Sequence, residues 1–164
     1  MLSEAERDYV DQVGRHFAKS YGLPPVVGRV VGWLLICDPP RQTAAGIAEG
    51  LGISRSAVGQ AVSTLETWRV VERTRPPGER ADRISIYSAF GADNLEAAEE
   101  YNALLTLARN GLELLRDAPP GRRARLMETA ALAEFLMERM PQIAADWREH
   151  RAALRASGEL PRSE

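Results

Sequence analysis

The chain has 164 residues, of which 45% are hydrophobic and 27% charged, and its formal net charge is -2. This composition is that of an ordinary globular protein, long enough for one hydrophobic core and too short for most two-domain enzymes. The single cysteine excludes an internal disulfide framework and a cysteine-based zinc site, and no apolar run approaches the roughly 20 residues of a membrane span.

The first predicted helix covers residues 3 to 20. Ser3 and Glu6 have the spacing of a capping box, and apolar residues follow at intervals of three and four. This acidic beginning lacks the basic start and apolar run of a signal peptide, so we expect a cytoplasmic protein without a membrane partner. A second helix begins at Pro24–Pro25 and ends at Pro39–Pro40, and its apolar circumference predicts a central place in the core.

Two short helices come next and are joined by a tight turn. Thr43 is a suitable N-cap for the third helix, which Gly52 ends. Ser54 then caps a fourth helix, in which apolar residues recur at the same spacing as far as Trp68. Such a pair of helices predicts a helix-turn-helix.

A β-hairpin with a long basic tip is predicted after the fourth helix. Its first strand is Val70–Thr74, its loop is Arg75–Arg83, and its second strand alternates from Ile84 to Ser88. Residues 41 to 88 contain seven arginines and five acids, a net +2 in a chain whose total is -2. This distribution of charge, more than its total, favours a nucleic-acid partner.

Helices return in the last part of the chain. Asp93 and Glu96 are predicted to cap a long helix with one apolar stripe, which ends at Pro119–Gly121. A further helix is predicted over residues 122 to 139, and Pro141 either kinks it or begins a last helix. The residues of this helix that we expect to face inward are Leu132, Phe135 and Leu136.

The fourth helix has the two faces that a DNA-reading helix needs, one packed against its own domain and one open to the major groove. On its polar face, Arg55 suits bidentate hydrogen bonding to guanine and Gln60 can pair with adenine. Any amphipathic helix has a polar outer face, but this one lacks the long glutamate and lysine side chains of a solvated surface.

The loop of the hairpin offers a second contact with DNA. Its arginines can reach into a minor groove, where narrow width concentrates negative potential. A charged hairpin tip is often only a solvated turn, and we expect Glu79 and Asp82 to hold Arg80 or Arg83 in place. The predicted DNA-binding residues are Thr43, Ser54, Arg55, Ser56, Gly59, Gln60, Ser63, Thr64, Arg75, Arg80 and Arg83.

Three segments of this region resemble the MarR family of bacterial winged-helix regulators, and especially its GbsR-like branch. They are Gly22–Pro40, Thr43–Arg73 and Pro76–Arg83. Their combined order is more specific than a match to a helix-turn-helix alone, whereas the terminal helices are similar to the family in layout only. Many relatives carry a second basic residue where Ala81 stands, which implies weaker wing contacts or contacts made mainly by Arg80 and Arg83.

The resemblance implies a mainly α fold with a small β-hairpin wing, in which helices that form a two-fold dimer interface flank a winged helix-turn-helix. The implied domains are a dimerisation helix at residues 1–21, a DNA-binding domain at 22–91 and a C-terminal helical dimerisation region at 92–164. The helix from residue 54 to 68 becomes the recognition helix, and the loop from residue 75 to 83 becomes the wing. A two-fold dimer predicts a palindromic site with half-sites about one helical turn apart.

The implied function is a sequence-specific transcriptional regulator, a repressor whose homodimer binds double-stranded DNA and responds to a small molecule. The effector would act by changing the spacing of the two recognition helices. The GbsR-like branch is associated with choline or glycine betaine, and the candidates for an aromatic cage around a quaternary ammonium are Trp33, Trp68 and Tyr101. These aromatic residues are more simply explained as core residues.

Other functions have weaker support in the sequence. Cys37 could act as a redox switch, although it continues an apolar stretch and lone cysteines are commonly buried and inert. His16 and His150 lack acidic partners at metal-binding spacing, so we expect no metal and no cofactor. No nucleophile elbow, phosphate-binding glycine loop or dinucleotide fingerprint indicates an enzyme. The remaining alternative is a winged-helix module that binds proteins and has lost DNA binding.

Overall fold

A computed structural model describes residues 2 to 87 and 98 to 161. The chain divides into two units by its contacts, Met1–Phe90 and Gly91–Glu164. We call the first the winged unit and the second the helical unit.

Four helices begin the winged unit, and three of them start at the caps that the sequence predicts. Ser3 Oγ accepts a hydrogen bond from the Glu6 amide at 3.3 Å, and the Glu6 carboxylate accepts one from the Ser3 amide at 2.7 Å, so the capping box is confirmed. Thr43 and Ser54 cap the third and fourth helices through their hydroxyl oxygens. The helices are α1 at Glu4–Tyr21, α2 at Pro25–Ile36, α3 at Ala44–Leu51 and α4 at Arg55–Thr67.

A two-stranded antiparallel hairpin follows α4, with strand β1 at Val71–Thr74 and strand β2 at Arg83–Ile86. The backbone of Gln42 adds a bridge to Ile84 through hydrogen bonds of 2.9 and 2.7 Å, which ties the hairpin to the segment before α3. The strand limits differ from the prediction by one or two residues, and Ser88 lies outside the described residues.

The core of the winged unit lies around α2, which contacts α1, α3, α4 and β2. The predicted central place of α2 is therefore confirmed. Helix α1 also belongs to this core, because Val10 and Phe17 on its inner side are buried. The most deeply buried apolar side chains of the unit are Val10, Val27, Val30, Val31, Leu34, Ile47, Val58, Ala61, Val62, Leu65, Val71 and Ile84.

Two helices form the described part of the helical unit, α5 at Ala98–Leu114 and α6 at Pro120–Ser157. The predicted cap at Asp93 and Glu96 lies outside the described residues. Helix α6 continues through Pro141 for 38 residues in all, so the alternative of a separate last helix is wrong. A proline removes one hydrogen bond from a helix, and α6 continues on both sides of Pro141.

The apolar stripe of α6 does not face inward as the sequence predicts. Leu132 is 52% exposed and Phe135 is 54% exposed, and only Leu136 of the three is half-buried. Helical periodicity identifies a surface that avoids water, but it does not identify what covers that surface. Within residues 2 to 87 and 98 to 161, no helix is both long and apolar enough to cross a membrane.

Candidate nucleic-acid interface

Helix α4 has one buried side and one exposed side. Its four buried residues are at most 1% exposed and anchor the helix in the core; they are Val58, Ala61, Val62 and Leu65. The opposite surface, which we call the α4 outer face, consists of Arg55, Ser56, Gly59, Gln60, Ser63 and Thr67. All of these are exposed except the half-buried Gly59. The structure therefore brings five of the predicted DNA-binding residues onto one surface, with Thr67 beside them.

The turn between α3 and α4 aims this face away from the core. Gly52 has a φ of 64°, a left-handed conformation that glycine adopts without steric cost. Thr43 and Ser54 accept hydrogen bonds from the amides of Gly46 and Ala57 at 3.0 and 3.1 Å, so both act as helix caps. A capping hydroxyl accepts through its oxygen and keeps its own hydrogen for another acceptor, such as a phosphate.

Thr64 lies at the edge of the outer face and is half-buried. Its hydroxyl donates to the Gln60 carbonyl at 3.1 Å, and the Thr67 hydroxyl donates to the Ser63 carbonyl at 3.0 Å. Both hydroxyl hydrogens are thus used within the helix. Thr64 and Thr67 consequently offer a DNA partner an acceptor oxygen and not a donor.

The single acidic residue of α4 is neutralised by the hairpin. The Glu66 carboxylate accepts two hydrogen bonds from Arg73, one from Nε at 3.0 Å and one from Nη2 at 2.9 Å. Arg73 Nη1 also lies 3.9 Å from Asp82 Oδ2. The hydrogen bond with Glu66 raises the pKa of Arg73 above its ordinary value. No unpaired carboxylate therefore lies on α4.

Two ion pairs hold the loop between β1 and β2. Arg75 Nε lies 2.6 Å from Asp82 Oδ1, and Arg83 Nε lies 2.7 Å from Glu79 Oε2. The hydrogen bond from Arg75 lowers the pKa of the Asp82 carboxyl below its ordinary value. The predicted pairing of Glu79 with Arg83 is confirmed. Asp82, in contrast, holds Arg75 and not Arg80.

Arg55 and Arg80 are the predicted DNA-binding arginines that form no ion pair with any described residue. Arg55 is the first residue of α4, and Arg80 lies in the loop just after Gly78, whose φ of 84° turns the chain. Both side chains are exposed. Their guanidinium groups can bind a phosphate or a base without breaking an ion pair to a described residue.

The candidate ligand-binding tryptophans contact different neighbours. Trp33 packs over Gly50, where a Cβ would lie 2.5 Å from its ring. The ring of Trp68 meets that of Tyr21 edge to face, with centroids 5.8 Å apart. Tyr101 belongs to the helical unit. A cage formed by these residues stays a prediction.

Cys37 lies half-buried at the C-cap of α2, where its thiol donates to the Leu34 carbonyl oxygen. Burial raises the pKa of this thiol, which lowers the fraction of reactive thiolate and gives the redox alternative no support. His16 and His150 pack against aromatic rings. Among the described residues, no group of three or more histidine, cysteine, aspartate or glutamate side chains could hold a metal ion.

Two features of this surface were not predicted from the sequence. The first is the ion pair between Glu66 and Arg73, which are seven residues apart across the turn from α4 to β1. The second is the bridge between Gln42 and Ile84. Neither follows the spacing rules within a helix or a strand, because each joins two different elements.

Comparisons with known proteins agree with this architecture. Residues 21–81 match a sequence model of the MarR family, and residues 86–150 match one described as an MmpR5-like MarR family transcriptional regulator. The HTH-type transcriptional regulator MmpR5 of Mycobacterium tuberculosis (strain ATCC 25618 / H37Rv) is 34% identical over 130 residues, which cover 79% of this chain and 78% of MmpR5.

This chain is also similar to a solved structure over nearly the whole length of that structure. It is described as the crystal structure of a transcriptional regulator, and it matches with a TM-score of 0.80 and 29% identity over 88% of this chain and 99% of that chain. This match confirms the mainly helical fold with a small antiparallel hairpin. The narrower GbsR-like branch stays a prediction. The winged unit, the two family matches and the likeness to MmpR5 together show that the chain belongs to the MarR family of transcriptional regulators.

Proposed function

We propose that the chain is a cytoplasmic, sequence-specific repressor of the GbsR-like branch that binds a palindromic operator as a homodimer and responds to a small molecule. The observation that carries the DNA-binding part is the α4 outer face. Apart from the half-buried Gly59 it is exposed, and its residues other than Arg55 and Gln60 are small and uncharged. Arg55 forms no ion pair with a described residue. A rigid helix of this kind fits the major groove, where short polar side chains and one arginine can meet base edges.

The charges around this face support the same proposal. Arg73 binds the Glu66 carboxylate, which would otherwise repel the phosphate backbone. Arg80 is exposed on the wing and forms no ion pair with a described residue. The proposed DNA-binding residues are Thr43, Ser54, Arg55, Ser56, Gly59, Gln60, Ser63, Thr64, Arg75, Arg80 and Arg83.

A second copy of the chain is the proposed partner of the helical unit. Leu132, Phe135 and Ile143 share one stripe of α6 and are 52, 54 and 47% exposed. An exposed apolar stripe on a surface helix favours a subunit interface. We assign residues 92–164 and 1–21 to dimerisation and residues 22–91 to DNA binding. The candidates for effector contacts are Trp33, Trp68 and Tyr101.

Selection of bound fragments from a random duplex pool tests the DNA-binding proposal. We expect an enriched palindrome with half-sites about one helical turn apart, and binding that weakens steeply as chloride is added. Sedimentation velocity of the free protein is expected to give a dimer. If no duplex is retained even at low ionic strength, the proposal is wrong and the protein-binding module becomes the better explanation.

A further inference from the structure

Gly59 lies in the middle of α4, and packing against the described residues does not require a glycine there. Apart from its chain neighbours and the backbone of α4 itself, a Cβ built at this position meets no atom of a described residue within 4 Å. Packing does explain other helical glycines: a Cβ at Gly28 would lie 2.7 Å from the Val13 carbonyl oxygen, and one at Gly50 would lie 2.5 Å from the Trp33 ring. Glycine is among the least favourable residues in a helix. Alanine at position 59 would therefore stabilise α4 without a clash.

Gly59 is also the lowest point of the α4 outer face. Ser56 precedes it by three residues and Ser63 follows it by four, so the three form one strip along the helix. The longer side chains of Arg55 and Gln60 flank this strip on its two sides. A strip without bulky side chains lets the helix backbone come close to a partner surface.

We infer that the α4 backbone at Gly59 contacts base edges on the floor of the major groove, so that residue 59 sets how deeply the helix enters. The inference rests on the proposed function, and it explains why α4 keeps a residue that weakens it. A methyl group at this point would hold the helix away from the groove floor. The hydrogen bonds from Arg55 and Gln60 to bases would then lengthen and weaken steeply.

The test compares Gly59→Ala with Gly121→Ala, a matched control. Gly121 is in the first turn of α6, and a Cβ built there also meets nothing within 4 Å. For each variant we would measure the melting temperature, the dissociation constant for a duplex selected from a random pool by the wild-type protein, and that for an unrelated duplex. Both duplexes would be measured at one fixed salt concentration.

We expect Gly59→Ala to raise the melting temperature by about 2 to 4 °C. Its affinity for the selected duplex should fall at least about tenfold, the size of one lost base contact. Its affinity for the unrelated duplex should stay within about twofold, because arginine contacts with phosphates supply that binding. Gly121→Ala should remain a dimer in sedimentation velocity and bind both duplexes like the wild-type protein, because Gly121 lies about three helical turns before the exposed stripe at Leu132, Phe135 and Ile143.

The other possible results show whether the inference about Gly59 or the proposed function is wrong. If Gly59→Ala is stabilised and binds the selected duplex like the wild-type protein, the inference is wrong and the proposed function stands. If both duplexes lose affinity equally, or if the variant melts at a lower temperature, Gly59 is not a contact with base edges. If the wild-type protein retains no duplex, the proposed function fails and the inference fails with it.

Discussion

Arg73 on β1 binds the Glu66 carboxylate at the end of α4 through two hydrogen bonds of 3.0 and 2.9 Å. The pair joins the proposed recognition helix to the proposed wing and removes the net charge of the only acidic side chain on that helix. Both side chains are about one-third exposed. Ion pairs with this degree of exposure contribute little to the stability of the fold. We therefore expect this pair to affect DNA binding more than stability.

Arg73→Gln should weaken DNA binding roughly threefold to tenfold, because it leaves the Glu66 carboxylate unpaired near the phosphates. The melting temperature should change little. Adding Glu66→Gln to the same chain restores the original net charge and should recover most of the affinity. Fluorescence anisotropy with a selected duplex gives the dissociation constants of the wild-type protein, Arg73→Gln and the double variant. A double variant that binds the duplex as weakly as Arg73→Gln would contradict this role for the pair.

Arg80→Ala should weaken binding roughly tenfold and lower the slope of log affinity against log salt by about 1, as expected for one lost phosphate contact. No described residue pairs with Arg80, so the free energy of unfolding should stay the same. Arg116→Ala provides a control for the lost charge, because Arg116 contacts Glu113 and Asp117 in the helical unit. Equal salt slopes for Arg80→Ala and the wild-type protein would argue against a wing contact.

The ion pair between Arg75 and Asp82 should make the order of the wing depend on pH. The hydrogen bond from Arg75 lowers the pKa of Asp82 from an ordinary 3.8. Because the folded-state pKa is the lower one, the stabilisation is present above pH 3.8 and is lost as the pH falls through the lowered pKa. An NMR titration of the Asp82 carboxyl carbon should show the lowered pKa. In Arg75→Gln the pKa of Asp82 should rise towards its ordinary value. An unchanged pKa in that variant would mean that the pair does not form in solution.

Gly50→Ala should destabilise the winged unit by about 1 to 3 kcal/mol, because the new Cβ forces the Trp33 ring out of its place between α2 and α3. The clash is severe, since the nearest ring atoms would be 2.5 Å away. Urea unfolding followed by tryptophan fluorescence measures the change. A variant as stable as the wild-type protein would show that Trp33 does not pack over Gly50.

Much of the winged unit could be predicted from the sequence, because its signals are local. Ser3, Thr43 and Ser54 each cap the helix that follows, and a hydroxyl or carboxylate next to free backbone amides acts in the same way wherever it occurs. The apolar side of α4 was likewise predictable from its spacing. These rules need no knowledge of the rest of the fold.

Contacts between elements could not be predicted in the same way. The sequence places several arginines near several acids in the wing, but it does not determine that Asp82 binds Arg75 and leaves Arg80 exposed. The exposed side chains of Leu132 and Phe135 show a related limit, because a stripe that packs within the chain and a stripe that packs against another chain have the same pattern. Which side chains contact each other depends on the three-dimensional arrangement of the elements, and the periodicity of the sequence does not specify that arrangement.

The most direct test of the proposed interface is to place a carboxylate at the centre of the α4 outer face with Ser63→Glu. Ser63 is exposed, so the fold should tolerate the change, and Asn110→Glu on the exposed side of α5 adds the same charge elsewhere. We predict that Ser63→Glu lowers the affinity for a selected duplex by roughly a hundredfold or more, while Asn110→Glu changes it by no more than about twofold. Equal affinities for the two folded variants would contradict the placement of α4 against DNA.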